Sequence, residues 1–405
     1  VGIALLKACA SRHACHRSNR RQLERRARRR SCSLLVCLLL HAGAAASHAA
    51  SLASQFDSVI RFQGRLAPFP GYRRALESVV VGFQLNAVRT ADYVATATTP
   101  GFGYMWDPET GSFRRTDVSR GSAFIEPAAT IGAHAWYLSF AYLYSNFTQL
   151  DGKPLEESLD QLRNVRGPDQ LAIQTRAFDF TSQVLAFSAT YGITNRWDVN
   201  LLVPVFITTL RLDGTSALLV PGAAPFTNTF NTHDQTRSGI GDILLRTKYR
   251  LQDQLGIQMA AGFTLRVPSG DPDNFQGLGD VILTPAFIAQ RAVGPSLLQA
   301  NLGVEVNAGD VSQSRARYAV GATIEILHSL DFLVNVIGNS GFTDTHFTTG
   351  DVSGVVGRTD IVDAVSGVEI ALGGTLVAQL GAIVPLTHDG LRATVVPVAW
   401  LGGRF

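Results

Sequence analysis

The sequence predicts an all-β protein, a closed antiparallel transmembrane β-barrel of about 12 strands (12–14) behind an N-terminal extension. Three observations carry this. From about residue 135 onward, segments of ten to fifteen residues alternate apolar and polar positions, the period of a strand. The connections between them alternate short and long, as periplasmic turns and external loops do. The chain begins with a basic stretch and a short apolar run, the pattern of an export signal.

Composition agrees. Charged residues are 17% of the 405, against about a quarter in ordinary soluble proteins, and glycines number 38. The mean hydropathy of +0.13 is too low for a helical membrane protein.

Residues 1–30 hold nine arginines and Lys7, with Glu24 as the single acid. The apolar run Leu34–Ala46 follows, then the small residues Ser47–Ser51. Thirteen apolar residues are too few to span a bilayer as a helix, so 1–49 reads as a signal peptide cleaved after Ala49. All four cysteines (Cys9, Cys15, Cys32, Cys37) fall in it, which leaves the mature chain without a disulfide framework or a cysteine-based metal site. Removal also inverts the charge. Of 35 basic and 32 acidic residues, 25 and 31 remain, so the precursor's basic balance implies no nucleic-acid partner.

Residues 50–134 do not show the spanning pattern. Arg73–Val88 has the spacing of a short amphipathic helix, and Pro108–Gly111 supplies turn chemistry for a hairpin. The region reads as a periplasmic extension, a lumenal plug or extra strands. Pro154–Asn164 has the pattern of a surface helix in the first long loop.

The barrel occupies 135–405. Its twelve segments are 135–148, 177–191, 197–211, 239–251, 255–267, 279–292, 296–308, 314–327, 330–342, 358–372, 374–387 and 391–405. Roughly 9–11 residues cross a bilayer as a tilted strand, so each is long enough. An even number puts both ends of the barrel on the periplasmic side. Leu298, Ala300, Leu302, Val304 and Val306 represent the apolar face, expected to touch lipid; Gln299, Asn301, Glu305 and Asn307 represent the polar face, expected to line a lumen. Pro204, Pro285 and Pro397 each remove a ladder donor inside a strand. The chain ends on Phe405 after alternating Val395, Pro397, Ala399 and Leu401, which resembles the C-terminal signal read by the barrel-assembly machinery.

The stretches GITNRWDVNLLVPV, SGIGDILLRTKYRL, TLRVPSGDPDNFQGLGD and VPLTHDGLRATVVPV resemble the landmarks of an outer-membrane barrel family named for a phenol meta-cleavage degradation pathway. WDPETGSFRRT and FIEPAATIGAHAWYLSFAY resemble the upstream region of its longer members. The resemblance covers about Gly103 to Phe405. It implies an outer-membrane barrel and passage of small, often apolar or aromatic compounds. It carries no catalytic residues and no cofactor.

Polar clusters elsewhere have plainer readings. His233 beside Asp234, Asp344 near His346, and His388 beside Asp389 sit in expected external loops, where an outer-membrane hydrolase would place acid–histidine pairs; no nucleophile motif accompanies them. Asp271, Asp273 and Asn274 offer oxygen ligands, but their spacing is that of a turn and no metal is expected. The repeats GIGD and GLGD (Gly239–Asp242, Gly277–Asp280) each open a strand.

The expected pore-lining residues are Arg246, Lys248, Arg266, Asn301, Glu305, Glu325, Asp363 and Glu369. Their opposite charges either face one another across the lumen or pair locally and fill it. The reading is a passive outer-membrane channel for uptake or efflux of small molecules, including apolar or aromatic ones, and not an enzyme. Its partners are outer-membrane lipid and small solutes. The alternatives are a non-conducting structural barrel or an outer-membrane hydrolase using the rim His–Asp pairs.

Overall fold

In the computed structural model the described residues are 50–63, 65–66, 70–91, 103–107, 112–116, 121–160, 170–327, 329–349, 352–373 and 376–404. The expected signal segment, the hairpin turn at 108–111 and Phe405 lie outside them.

Twelve long strands run in chain order around a ring: β1 (Trp136–Leu150), β2 (Gln170–Thr194), β3 (Trp197–Leu219), β4 (Ile243–Arg250), β5 (Gln258–Val267) and β6 (Ile282–Val293). They continue as β7 (Ser296–Asn307), β8 (Arg315–Leu327), β9 (Leu330–Gly341), β10 (Asp360–Gly373), β11 (Leu376–Pro385) and β12 (Val396–Arg404). Each pairs antiparallel with the next. β12 returns to β1 through Leu401 opposite Phe140, so the sheet closes. Closure satisfies every strand's backbone groups within the ring, the condition for a sheet to cross lipid.

The face assignment follows from burial. Leu298, Leu302 and Val304 are exposed, Leu302 by 61%, whereas Gln299, Glu305 and Asn307 are almost fully covered. Phe187, Leu201, Leu245, Phe263, Phe287, Val320, Val334, Leu380 and Leu401 continue the exposed apolar band round the ring. At the short-turn end Trp136 packs at a tilt against Tyr191, ring centres 4.8 Å apart, and Trp197 pairs across the ladder with Tyr249. These outward aromatic residues form part of the girdle expected at a membrane interface.

Two strands exceed their sequence-based limits. β2 and β3 run 25 and 23 residues, twice what a bilayer needs, and absorb parts of the expected loops 149–176 and 212–238. The cause is a continued alternation: Leu171, Ile173, Phe178, Leu210, Leu212 and Leu218 all stay buried on the inner face. Phe226–Asn231 and Gln235–Ile240 pair back onto β3, the latter just before β4. The last expected segment is divided, with Leu391–Ala393 paired to β1 ahead of β12.

The inner face is not uniformly polar. On β1–β3 it carries Leu143, Phe147, Phe178, Phe180, Leu202, Phe206 and Leu210, all buried. Helix α1 (Pro70–Ala91) and a 3-10 helix (Ala53–Ile60) meet that apolar wall at the long-loop end. Phe83 of α1 lies 5.1 Å from Phe178, 5.6 Å from Phe180 and 5.8 Å from Phe56. Among the described residues no helix is long and apolar enough to cross a membrane. The surface helix expected at 154–164 is present as a short helix, Leu155–Asp160, within the described residues.

Candidate functional site: the barrel lumen

Two stretches ahead of β1 touch the inner wall, at opposite ends. At the long-loop end, Leu52 N donates to Asn274 Oδ1 at 3.0 Å, Ser216 Oγ donates to Val59 O, and Asn228 Nδ2 donates to Ser58 O. Arg89, near the end of α1, lies 3.8 Å from Glu305 on β7.

The second stretch, 121–135, lies across the short-turn half. Its backbone is held by inward side chains from around the ring. Ala123 N donates to Gln379 Oε1 at 2.8 Å, and Gln379 Nε2 donates to Gly121 O at 3.0 Å. Ala128 N donates to Gln290 Oε1 at 2.8 Å, and Ile131 N donates to Asp198 Oδ2 at 3.1 Å. These partners replace the water that irregular backbone would otherwise need. Gly367 faces Gly381 in the ladder near the Phe124 ring, and a Cβ on Gly381 would lie 2.9 Å from Ser366 O. Where the stretch enters β1, His134 N donates to Gly192 O at 2.7 Å. A Cβ on Gly192 would lie 1.9 Å from Gly132 O, so only glycine fits.

The sequence-derived residues fall as follows. Lys248 is buried, 2.6 Å from Glu126 Oε1, and donates to Pro127 O at 2.9 Å. Asn301 adjoins the same Glu126, its amide placed to donate to Glu126 O at 3.0 Å and accept from Glu126 N at 2.7 Å. Glu305 is ringed by Arg89, Arg315 and Arg317 at 3.8, 3.8 and 3.5 Å. Arg266 lies 3.5 Å from Asp242, which also accepts from Gly270 N and Leu278 N. Asp363 pairs with Arg392, and Glu369 accepts from Gln379. Glu325 stands opposite Asp331 near the short turns, and Arg246 is half-buried against a lumenal cavity.

The described ion pairs therefore join near neighbours: Glu305 with Arg315 and Arg317 on the next strand, Arg266 with Asp242, and Asp363 with Arg392. Lys248 and Glu305 also pair with Glu126 and Arg89, respectively, ahead of β1, whereas Glu325 faces Asp331. The reason is distance: adjacent strands are about 4.8 Å apart, well within reach of two long side chains. Sequence reasoning named neither Arg315 nor Arg317, although both share the inward parity of Glu325 on β8. Arg89 and Glu126 carried no such signal, because they lie outside the alternating segments.

The external clusters do other work. Asp344 accepts from Arg358 N at 2.9 Å and Asp389 from Asp360 N at 3.1 Å, so both carboxylates hold loop backbone. Asp271 caps the 272–274 turn, accepting from Asp273 N and from Asn274 Nδ2. Asp280, closing the second GxGD, accepts from Asn307 Nδ2. Among the described residues no group of three or more His, Cys, Asp or Glu is placed to hold a metal ion.

The chain matches the family model described as "Putative MetA-pathway of phenol degradation" over residues 160–382, from ahead of β2 into β11. No curated protein matches it. Solved structures similar to it include an outer membrane channel from Pseudomonas putida F1, 11% identical, covering 69% of this chain and 98% of that one with a TM-score of 0.47. The Ralstonia pickettii toluene transporter TbuX is 12% identical, covering 68% of this chain and 90% of that one, with a TM-score of 0.35. The NanC porin is 9% identical, covering 65% and 97%, with a TM-score of 0.37.

Proposed function

This chain belongs to the phenol-degradation-pathway family, and from that premise we propose that it is a passive outer-membrane channel for small molecules, apolar and aromatic ones included. The closed ring with its apolar outer band makes it an outer-membrane β-barrel. The observation that carries the channel reading is the wall of the lumen at β4–β9. There the inward faces keep Arg246, Lys248, Arg266, Asn301 and Glu305 around a residual cavity, where a purely structural barrel would fill the space with apolar side chains.

In this reading the described residues between 50 and 134 that meet the inner wall act as a plug. The long-loop half is stopped by α1 on an apolar wall, and the short-turn half by 121–135 on polar hooks. Solute passes when part of this plug yields. This reading gives the rim His–Asp pairs no catalytic part, and two of their carboxylates, Asp344 and Asp389, hold loop backbone. Outer-membrane lipid and small solutes are its partners, and the barrel-assembly machinery engages the C-terminal strand ending in Phe405.

Planar-bilayer recording of refolded protein tests the reading. Full-length mature chain should show low or intermittent conductance, and deletion of residues 51–128 should raise it severalfold. A deletion variant that folds, shown by heat-dependent gel mobility, and still passes no current would overturn it.

A further inference from the structure

The lumenal cavity has a shape and a lining that select among solutes. It measures about 130 Å³ and lies between the inner segment and β4–β9. A row of small residues makes it: Gly262 is opposite Ala286, and Ala286 opposite Gly303. Three neighbouring strands thus present only backbone and one methyl group where larger side chains would fill the barrel. Lys248 and Arg317, the next ladder partners on either side, bound the row.

The rows above and below differ in chemistry. Toward the short turns, Ile288, Ala319 and Ile337 face the space, and Phe124 closes it from the inner segment. Asn301 lies in the ladder between Ile288 and Ala319, its amide turned to Glu126. Toward the long loops come Thr264 and Thr284, with the guanidinium-bearing Arg246 and Arg266. One end is mainly apolar, and the other offers hydroxyls and cations beside Glu305.

We propose that this cavity is a binding subsite for a small monocyclic aromatic acid, with the ring on Ile288, Ile337 and Phe124 and the carboxylate toward Thr264, Thr284 and Arg246. The proposal deepens the channel reading by naming a solute class, and its meaning as a transport subsite rests on that reading. Size limits the ligand to one ring, since a protein cavity of about 150 Å³ admits benzene. Charge selects the acid. The described lining holds four cations (Arg246, Lys248, Arg266, Arg317) and two carboxylates (Glu126, Glu305); with the groups paired to them, Arg89, Arg315 and Asp242, the balance is six cations to three carboxylates. Arg317 and Arg266 keep their carboxylate partners at 3.5 Å, and a guanidinium with five N–H donors retains some for a second acceptor. Planar carboxylates suit that fork.

The test is a titration of the full mature chain, folded in detergent, with 4-fluorobenzoate read by fluorine NMR. Saturable binding is expected, with phenol and toluene as weaker competitors. Ala286→Leu fills the cavity and should abolish binding in a barrel that keeps its heat-dependent mobility. Arg246→Gln preserves the volume and should weaken fluorobenzoate about tenfold while leaving toluene unchanged. Wild-type affinity in folded Ala286→Leu, or toluene binding as tightly as fluorobenzoate, overturns the proposal. The titration requires no flux. A barrel that binds but never conducts therefore refutes the channel and leaves the site, and one that conducts after the plug deletion but does not bind refutes the site alone.

Discussion

Lys248 Nζ on β4 lies 2.6 Å from Glu126 Oε1 on the inner segment and donates to Pro127 O in the same place. The lysine is almost fully buried, and Glu126 is the carboxylate that pairs with it. Removing one member of a buried pair costs about 3–5 kcal/mol, because the other charge is left without compensation. Glu126→Gln should therefore loosen 121–130, seen as faster amide hydrogen exchange at Ala123 and Ala128 and as more frequent openings in bilayer recordings. Lys248→Met combined with Glu126→Gln should recover part of the protection. Unchanged exchange in the single variant would show that the pair does not hold the segment.

Leu302 and Glu325 separate the two faces of the wall. Leu302 points outward mid-strand, so Leu302→Arg should cost roughly 2–4 kcal/mol of folding stability in bilayers. Glu325→Gln, inward and near the short turns, should cost a small fraction of that. Refolding titrations in lipid vesicles measure both, and equal losses would contradict the assigned orientation.

Glu305 balances the guanidinium groups around it. Deleting residues 51–128 removes Arg89 with its helix, while Arg315 and Arg317 stay on the wall beside Glu305. Glu305→Gln in that background should shift the reversal potential toward anions. Screening acts over about 8–10 Å at ordinary salt, so the shift should grow on dilution. A reversal potential that stays fixed at low salt would remove Glu305 from the conducting path.

The docking of α1 should depend on pH. Burial pushes the carboxyl of Asp57 above its ordinary value, against the pull of Arg61 and Arg73. Burial also raises Glu77, with Arg73 opposing and Asp57 and Asp273 adding to the rise. The docked form therefore binds more protons than the released form. Its docking is strongest below the ordinary carboxylate range, about pH 4, and weakens as pH rises through the raised values. Exchange at Leu85–Val88, corrected for intrinsic rates, should be slower at acid than at neutral pH. Asp57→Asn with Glu77→Gln should flatten the dependence, and a flat wild-type profile would refute it.

The alternation of Leu298 to Asn307 gave strand type and two faces, and the length of the strands, the alternating connections and the export pattern assigned the apolar face to lipid. The short connections at Gly192–Arg196 and Ala292–Gly294 placed the turns, and the twelve segments matched twelve strands. The same rule misjudged the lumen. β3 is apolar on both faces, from Val199, Leu201 and Val203 outward to Leu202, Phe206 and Leu210 inward, which was the visible sign that something covers its inner side.

What covers it was not visible. Arg89 and Glu126 lie 216 and 122 residues from Glu305 and Lys248, respectively, in a region with no strand period to orient them. Local pattern dictates how a residue sits relative to its own backbone. Which inward charge meets which partner depends on ladder register and on the path of a non-spanning segment, and those were decided only when the ring closed around it.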